Sequence, residues 1–435
     1  MNKPNPSTHL MERCVERANM LTAWKRVKKN GGSAGIDEMT IDEAAEYLKI
    51  EWPRIRMNLL DGCYDPKAVR RVEIPKPDGG IRQLGIPTVV DRLIQQCVLQ
   101  VLQPDWDPTF HKHSYGFRPN KSAHQAVMRA QSLVQSGRRW CVDVDLEKFF
   151  DCVNHDILMD RVEKRVKDKR LVKLIRRFLK AGIMDQGLVV SRDEGTPQGG
   201  PLSPLLSNLL LDEVDQELST RGLAFVRYAD DCNVYVRSKR AAEKAMLTME
   251  KIMSKLKLKI NREKSAVAFA SKRKFLGYRL WIAPKKVVKR SVAPQAIAKF
   301  KSRVRKLTSR TCGRSMEQVI EGLDQYLMGW KNYFKLADTP KIFEDLDSWI
   351  RRRLRMIYLK QWKRVSACRR ELVARGLSLE AAASIARLRR CYWRMSSSSG
   401  IKIALPNSTF DEMGLTRLNA KIFGTAVCGA ASTVV

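Results

Sequence analysis

Two runs of strand-forming residues, Phe225-Val226-Arg227-Tyr228 and Asn233-Val234-Tyr235-Val236, meet at Asp230-Asp231. Aromatic and β-branched residues on either side of so short a connection read as an antiparallel hairpin with both carboxylates at or beside its turn. Acids are ordinary turn formers, so the hairpin alone fixes a local topology and not a chemistry. A second strand is legible around Trp140. Val142, Val144 and Leu146 share one face, and Cys141, Asp143 and Asp145 the other.

Carboxylates crowded on one strand face repel unless water or a cation stands between them. Surface acids on a solvated strand would satisfy that condition, and so would a metal site. The two acid clusters taken together favour the metal, because nucleotidyl transfer uses two divalent ions roughly 3.5 to 4 Å apart: one activates a hydroxyl nucleophile and the other holds a triphosphate. Hard carboxylate oxygens suit magnesium. On the residues alone, Asp143 and Asp145 remain equal candidates beside Asp230 and Asp231.

The charge balance names the class of partner. The 81 Lys and Arg against 46 Asp and Glu give a formal charge of +35 and a pI near 10.0, which calls for a polyanion. Cations outnumber acids most heavily between Lys285 and Arg375. There Ser315-Met316-Glu317-Gln318 has capping-box spacing before Val319, Ile320, Leu323, Tyr326, Leu327 and Trp330. Thr339-Pro340 supplies an N-cap and a first-turn proline for a second helix. Arg351, Arg352, Arg353 and Arg355 fall around that helix; a solvated face is the plain reading, and with few acids nearby they are expected to contact phosphates. A further helix is expected from Ser378, and Ser396 to Ser399 with Gly400 read as a loop.

Upstream, Asn30-Gly31-Gly32-Ser33-Ala34-Gly35 ends a basic helix, and Arg70 to Leu84 reads as two strands around Pro77-Asp78-Gly79-Gly80. No stretch reaches the roughly 18 to 20 apolar residues of a membrane span, and Met1 to Pro6 lacks the apolar core of a secretory signal. Ten singly scattered cysteines without a Cys-x-x-Cys pair fit reduced thiols better than disulfides or zinc. A soluble cytoplasmic protein with no membrane partner is the expectation.

Several strings together resemble the bacterial group II intron-encoded reverse transcriptases, or maturases. Tyr228-Ala229-Asp230-Asp231 is similar to that family's active-site hairpin, and Asp145-Leu146-Glu147-Lys148-Phe149-Phe150-Asp151 to its strand-to-helix motif. The resemblance selects Asp145 over Asp143 as the third catalytic acid. It implies a metal shell of Asp145, Asp230, Asp231 and the Leu146 carbonyl holding two Mg2+ ions, with Mn2+ as an alternative. Phe150 would stand under the incoming sugar and exclude a 2′-hydroxyl. Gly195-Thr196-Pro197-Gln198-Gly199-Gly200-Pro201-Leu202-Ser203-Pro204 is the most specific string, and it implies that Gln198 contacts the nascent base pair. Lys76 and Arg82 resemble the triphosphate grip, and Lys264 in Asn261-Arg262-Glu263-Lys264 a lysine near the pyrophosphate. Arg118, within Tyr115 to His124, would brace the fingers on template phosphates, and Phe275-Leu276-Gly277-Tyr278 resembles the primer grip.

The family fold is α+β: a right-hand polymerase with fingers and an antiparallel palm sheet, then a helical thumb and a small C-terminal DNA-binding region. The expected boundaries are an N-terminal extension over 1–40, fingers and palm over 41–290, thumb and maturase domain over 291–375, and the DNA-binding region and tail over 376–435, in which Arg387, Arg389 and Arg390 would approach DNA. Expected partners are intron RNA, an RNA template/DNA primer duplex, target DNA and dNTPs. No paired cysteines with His and Asn follow, which resembles the compact class without an endonuclease domain. The resemblance implies an RNA-directed DNA polymerase that copies intron RNA during retrohoming and assists splicing. The alternatives are a domesticated enzyme of DNA repair or phage defence, or an RNA-binding splicing cofactor without polymerase activity.

Overall fold

The computed structural model describes residues 9–75, 80–185, 188–190, 194–195, 199–311, 313–387 and 391–419. They form two compact units that divide between Arg273 and Lys274. Helices in the first unit are α1 (Leu10–Cys14), α2 (Arg17–Asn30), α3 (Ile41–Leu60), α4 (Val89–Trp106), α5 (Ala123–Gln135), α6 (His155–Arg165), α7 (Lys169–Lys180), α8 (Ser203–Thr220) and α9 (Lys239–Lys255). Strands β1 (Val69–Pro75), β2 (Ile81–Ile86), β4 (Ile183–Asp185) and β5 (Leu188–Val190) form one sheet in the order β2-β1-β4-β5. Strands β3 (Trp140–Val144), β6 (Ala224–Tyr228), β7 (Asp231–Val236) and β8 (Ala266–Phe269) form a second, fully antiparallel sheet in the order β6-β7-β3-β8.

The second sheet is anchored because the helices offer it apolar stripes at helical spacing. Leu205, Leu206, Leu209, Leu210, Val214 and Leu218 on α8, with Ala242, Ala245, Met249 and Ile252 on α9, are buried in one core with Val142, Val144, Phe225, Val234 and Val236. The early basic helix ends at Asn30, where Gly31 takes a φ of 64°. Leu10, Met11, Cys14 and Val15 join the main core, packing with Ile94, Val98 and Val101 of α4. The expected two strands of the fingers form as β1 and β2, paired from Arg70↔Ile86 to Pro75↔Ile81.

The second unit begins with β9 (Lys274–Phe275), β10 (Tyr278–Ile282) and β11 (Val288–Val292), so the boundary expected at residue 290 falls inside a strand. Helices α10 (Pro294–Leu307), α11 (Met316–Phe334) and α12 (Pro340–Gln361) follow. Phe300 of α10 packs on Trp330 of α11, and Trp330 on Phe334, as tilted ring pairs with centroids 4.4 and 4.7 Å apart. Ser315 and Gln318 form the expected capping box, whereas Thr339 stands at the N-cap of α12 without a side-chain capping bond. Beyond them lie α13 (Val365–Ala374), α14 (Leu379–Arg387), α15 (Tyr392–Met395), α16 (Ser399–Ala404) and α17 (Asn407–Glu412). Ser399 and Gly400 belong to α16 rather than to a loop, because the Ser398 side chain accepts the Ile401 N–H and starts the helix. No helix among the described residues is long and apolar enough to cross a membrane.

Candidate active site

The β6–β7 hairpin closes with Tyr228 opposite Asp231, leaving Ala229 and Asp230 as a two-residue turn. Ala229 has a φ of 56°, the left-handed conformation that a two-residue hairpin demands at its first central position and that glycine usually fills. What holds alanine there lies beneath the turn. Gly116 approaches so closely that a Cβ on it would stand 2.2 Å from the Ala229 nitrogen, so only glycine fits. Arg227 Nη1 donates to the Ala229 carbonyl at 2.9 Å. Its Nε and Nη2 grip Asp215, at 2.8 and 2.6 Å, with both side chains almost wholly buried. Burial opposes the charge on Arg227, but the Asp215 carboxylate overrides it and raises the guanidinium pKa above its ordinary value.

Asp145 stands at the same edge of the sheet. The last pair between β3 and β7 is Val144↔Cys232, so Asp145 leaves the sheet beside the point where Asp231 enters it. The two acids on the β3 face, equal in the residue pattern, are treated differently by the fold. Asp143 commits its carboxylate to Arg273 at 2.6 Å. Asp145 is fixed through its main chain: its N–H donates to Ser265 Oγ at 3.0 Å, and its carbonyl accepts the Asn261 N–H at 2.9 Å. The bridge Leu146↔Ile260 and the bond from Glu147 N–H to the Lys259 carbonyl extend this clamp. Lys264 is exposed on the same turn, its N–H donated to Asn261 Oδ1. Among the described residues no three His, Cys, Asp or Glu side chains close into a metal cage. The acids that share this edge offer oxygen donors only, a set that suits magnesium or manganese rather than zinc.

Phe150 is half-buried against the core, edge-on to Phe149 at 5.1 Å. Gly195 approaches the segment just after it: a Cβ there would lie 2.9 Å from the Phe150 carbonyl and 2.8 Å from that of Asp151. The buried His155 holds the Gly195 carbonyl at 2.6 Å. The loop of the most specific string therefore starts beside Phe150. It resumes at Gly199 against the Gly85 carbonyl of β2. Gln198, Lys76 and the side chain of Arg82 lie outside the described residues, as do Arg389 and Arg390.

Three of the arginines expected on phosphates, Arg118, Arg351 and Arg355, are corrected by the structure, which buries them. Arg118 is buried, with its guanidinium on Asp107 at 2.8 Å and on the His111 and Ser114 carbonyls, so it braces the chain internally. Arg351 is buried between Asp347 at 3.2 Å and Asp411 at 2.7 Å. Arg355 is buried on the Leu405 carbonyl and Asn407. Arg353 donates to Thr308, and Arg352 stacks 3.9 Å from the Trp393 ring centroid. Helical spacing placed these four around α12 but could not show that the later segment folds back onto Arg351, Arg352 and Arg355, or that Arg353 turns to the end of α10. Asp347 also accepts the Leu418 and Asn419 N–H groups. Arg351→Ala is accordingly expected to destabilise the protein by about 3 to 5 kcal/mol, the usual result of orphaning one partner of a buried ion pair. Denaturant unfolding checks this; an unchanged midpoint with weakened RNA binding would restore the phosphate role.

Missed by sequence reasoning were Arg227, Asn208 and Asp215. The signal was present: Asn208, Asp212 and Asp215 recur at i, i+4 and i+7 along the face of α8 that also carries Leu205, Leu211 and Leu218, and an arginine stands within the next apolar strand.

Residues 74–280 match the family described as reverse transcriptase (RNA-dependent DNA polymerase), and residues 297–376 match the group II intron, maturase-specific domain. Protein YkfC of Escherichia coli is 35% identical over 292 residues, covering 58% of this chain and 77% of YkfC. The chain belongs to the group II intron reverse transcriptase and maturase family. Another relative in this family, the group II intron-encoded protein LtrA of Lactococcus lactis, is 39% identical over 197 residues, 45% of this chain and 32% of LtrA. The putative COX1/OXI3 intron 1 protein of Saccharomyces cerevisiae is 27% identical over 66% of this chain and 41% of its own length. The chain thus spans well under half the length of the latter two relatives.

Proposed function

We propose that this protein copies intron RNA into DNA with a two-metal site built on Asp145, Asp230 and Asp231, and binds the same RNA to assist its splicing. The observation that carries the reading is the meeting of Asp145 and Asp231 at one edge of the antiparallel sheet, within a chain whose two family matches run polymerase first and maturase second. The Leu146 carbonyl would complete the metal shell. When bound, the Mg2+ ions, or Mn2+ in their stead, supply Lewis-acid activation of the primer 3′-hydroxyl and charge neutralisation on the triphosphate.

The remaining roles fall to the chain's own groups. Phe150 lies under the incoming sugar, and its packing beside Phe149 and the Gly195 approach supports a fixed floor. Gln198 contacts the nascent pair, and Lys76 with Arg82 neutralises the leaving pyrophosphate as charge develops on it. Lys264 serves the same end, supported by the hydrogen bonds that tie its turn to the Asp145 main chain. The partners are intron RNA, an RNA template/DNA primer duplex, target DNA and dNTPs, in keeping with the charge of +35. Primer extension on an RNA template is expected in Mg2+ and none in excess chelator, with activity restored on adding the ion back. Undiminished synthesis in chelator would refute the two-metal reading.

A further inference from the structure

We propose that Arg227 is a positioning residue for the catalytic hairpin: held by Asp215 and Asn208, it fixes the Ala229 carbonyl and with it the turn that presents Asp230 and Asp231. The proposal rests on the catalytic reading of those two acids and adds the device that aims them. Asn208 links both supports of the turn. Its Oδ1 accepts from Arg227 Nη1 at 3.0 Å, and its Nδ2 donates to the carbonyl of Gly116, the residue pressed against Ala229. The main chain joins in, because Arg227 N–H donates to the His113 carbonyl at 3.0 Å and its carbonyl accepts the Tyr115 N–H at 2.9 Å. Arg227, Asp215 and Asn208 are each 1% exposed or less.

Stability does not account for such a network, since a buried ion pair contributes no more than well-packed apolar side chains of the same volume. Geometry does account for it. A left-handed alanine persists only where its surroundings over-determine it. A planar guanidinium can hold a carboxylate with one edge while its other nitrogen reaches a carbonyl and an amide, which a single ammonium cannot do. The charged pair therefore sets the orientation of Nη1, and Nη1 sets the turn.

The test uses the full chain with two changes: Arg227→Lys, and the paired Arg227→Met with Asp215→Leu, which removes both charges together. Thermal unfolding, primer–template affinity, the kcat and dNTP KM of primer extension, and amide hydrogen exchange over residues 224–236 are measured. The expected result for the paired variant is cooperative unfolding near the wild-type temperature, and affinity and KM within about twofold. Its kcat should fall about 100-fold, as a misaimed reacting group allows, and exchange at the turn should accelerate. Arg227→Lys should show the same split. A folded variant with wild-type kcat and unchanged exchange would overturn the proposal, and so would failure of both variants to fold, which would assign Arg227 to stability alone. Asp230→Ala run in parallel separates the two levels: full synthesis in that variant removes the catalytic reading itself, whatever Arg227 does.

Discussion

Asp145→Ala is expected to lower primer extension by at least about 10³-fold, while Asp143→Ala stays within about tenfold of the wild type. Asp143 lies in β3 and Asp145 one residue past its end, in the same alternation of the sequence, so local sequence treats them alike. Their partners do not. Arg273 holds the Asp143 carboxylate at 2.6 Å in a pair that is partly open to solvent, and deleting it should cost about 1 kcal/mol of stability. Asp145 is fixed through its backbone by Asn261 and Ser265, so alanine there keeps the clamp and removes only the carboxylate. Losing a metal ligand withdraws several kcal/mol of transition-state stabilisation, and each 1.36 kcal/mol is about tenfold in rate. Steady-state extension by the two variants, with melting temperatures alongside, checks this. Equal losses would mean that Arg273 releases Asp143 to the site.

Much of the site was legible because its signals are local. Strand periodicity around Val142 and Val144 corresponds to β3, and the runs flanking Asp230 to the β6–β7 hairpin. Capping chemistry gave the start of α11 at Met316. Contacts distant in sequence were not legible. The choice of Asp145 over Asp143 comes from the resemblance, and the ion pair that distinguishes the two acids, Asp143 with Arg273, joins residues far apart in the chain. The thumb arginines show the same limit in reverse. Their spacing on α12 was correct, but the acceptors that absorb Arg351 and Arg355, Asp411 and the Leu405 carbonyl, sit in a segment whose return onto α12 no periodicity announces. In sequence the hairpin turn shows only its two acids, and Arg227, buried below it, looks like one more strand residue.

The second large effect concerns Asp230, the residue at the tip of the turn. It belongs to the first unit, whereas the residues that match the maturase domain lie in the second. Removing its carboxylate should therefore separate the two activities proposed for the chain. Asp230→Ala has no core to disturb, and the main-chain support of the turn through Arg227 and Ala229 remains. The most direct measurement is primer extension on an intron RNA template, run for wild type and Asp230→Ala beside the affinity of each for the same RNA. The account predicts robust synthesis by the wild type, none above background by Asp230→Ala, and RNA affinities that agree within about twofold. Full-length DNA made by Asp230→Ala at the wild-type rate would contradict it.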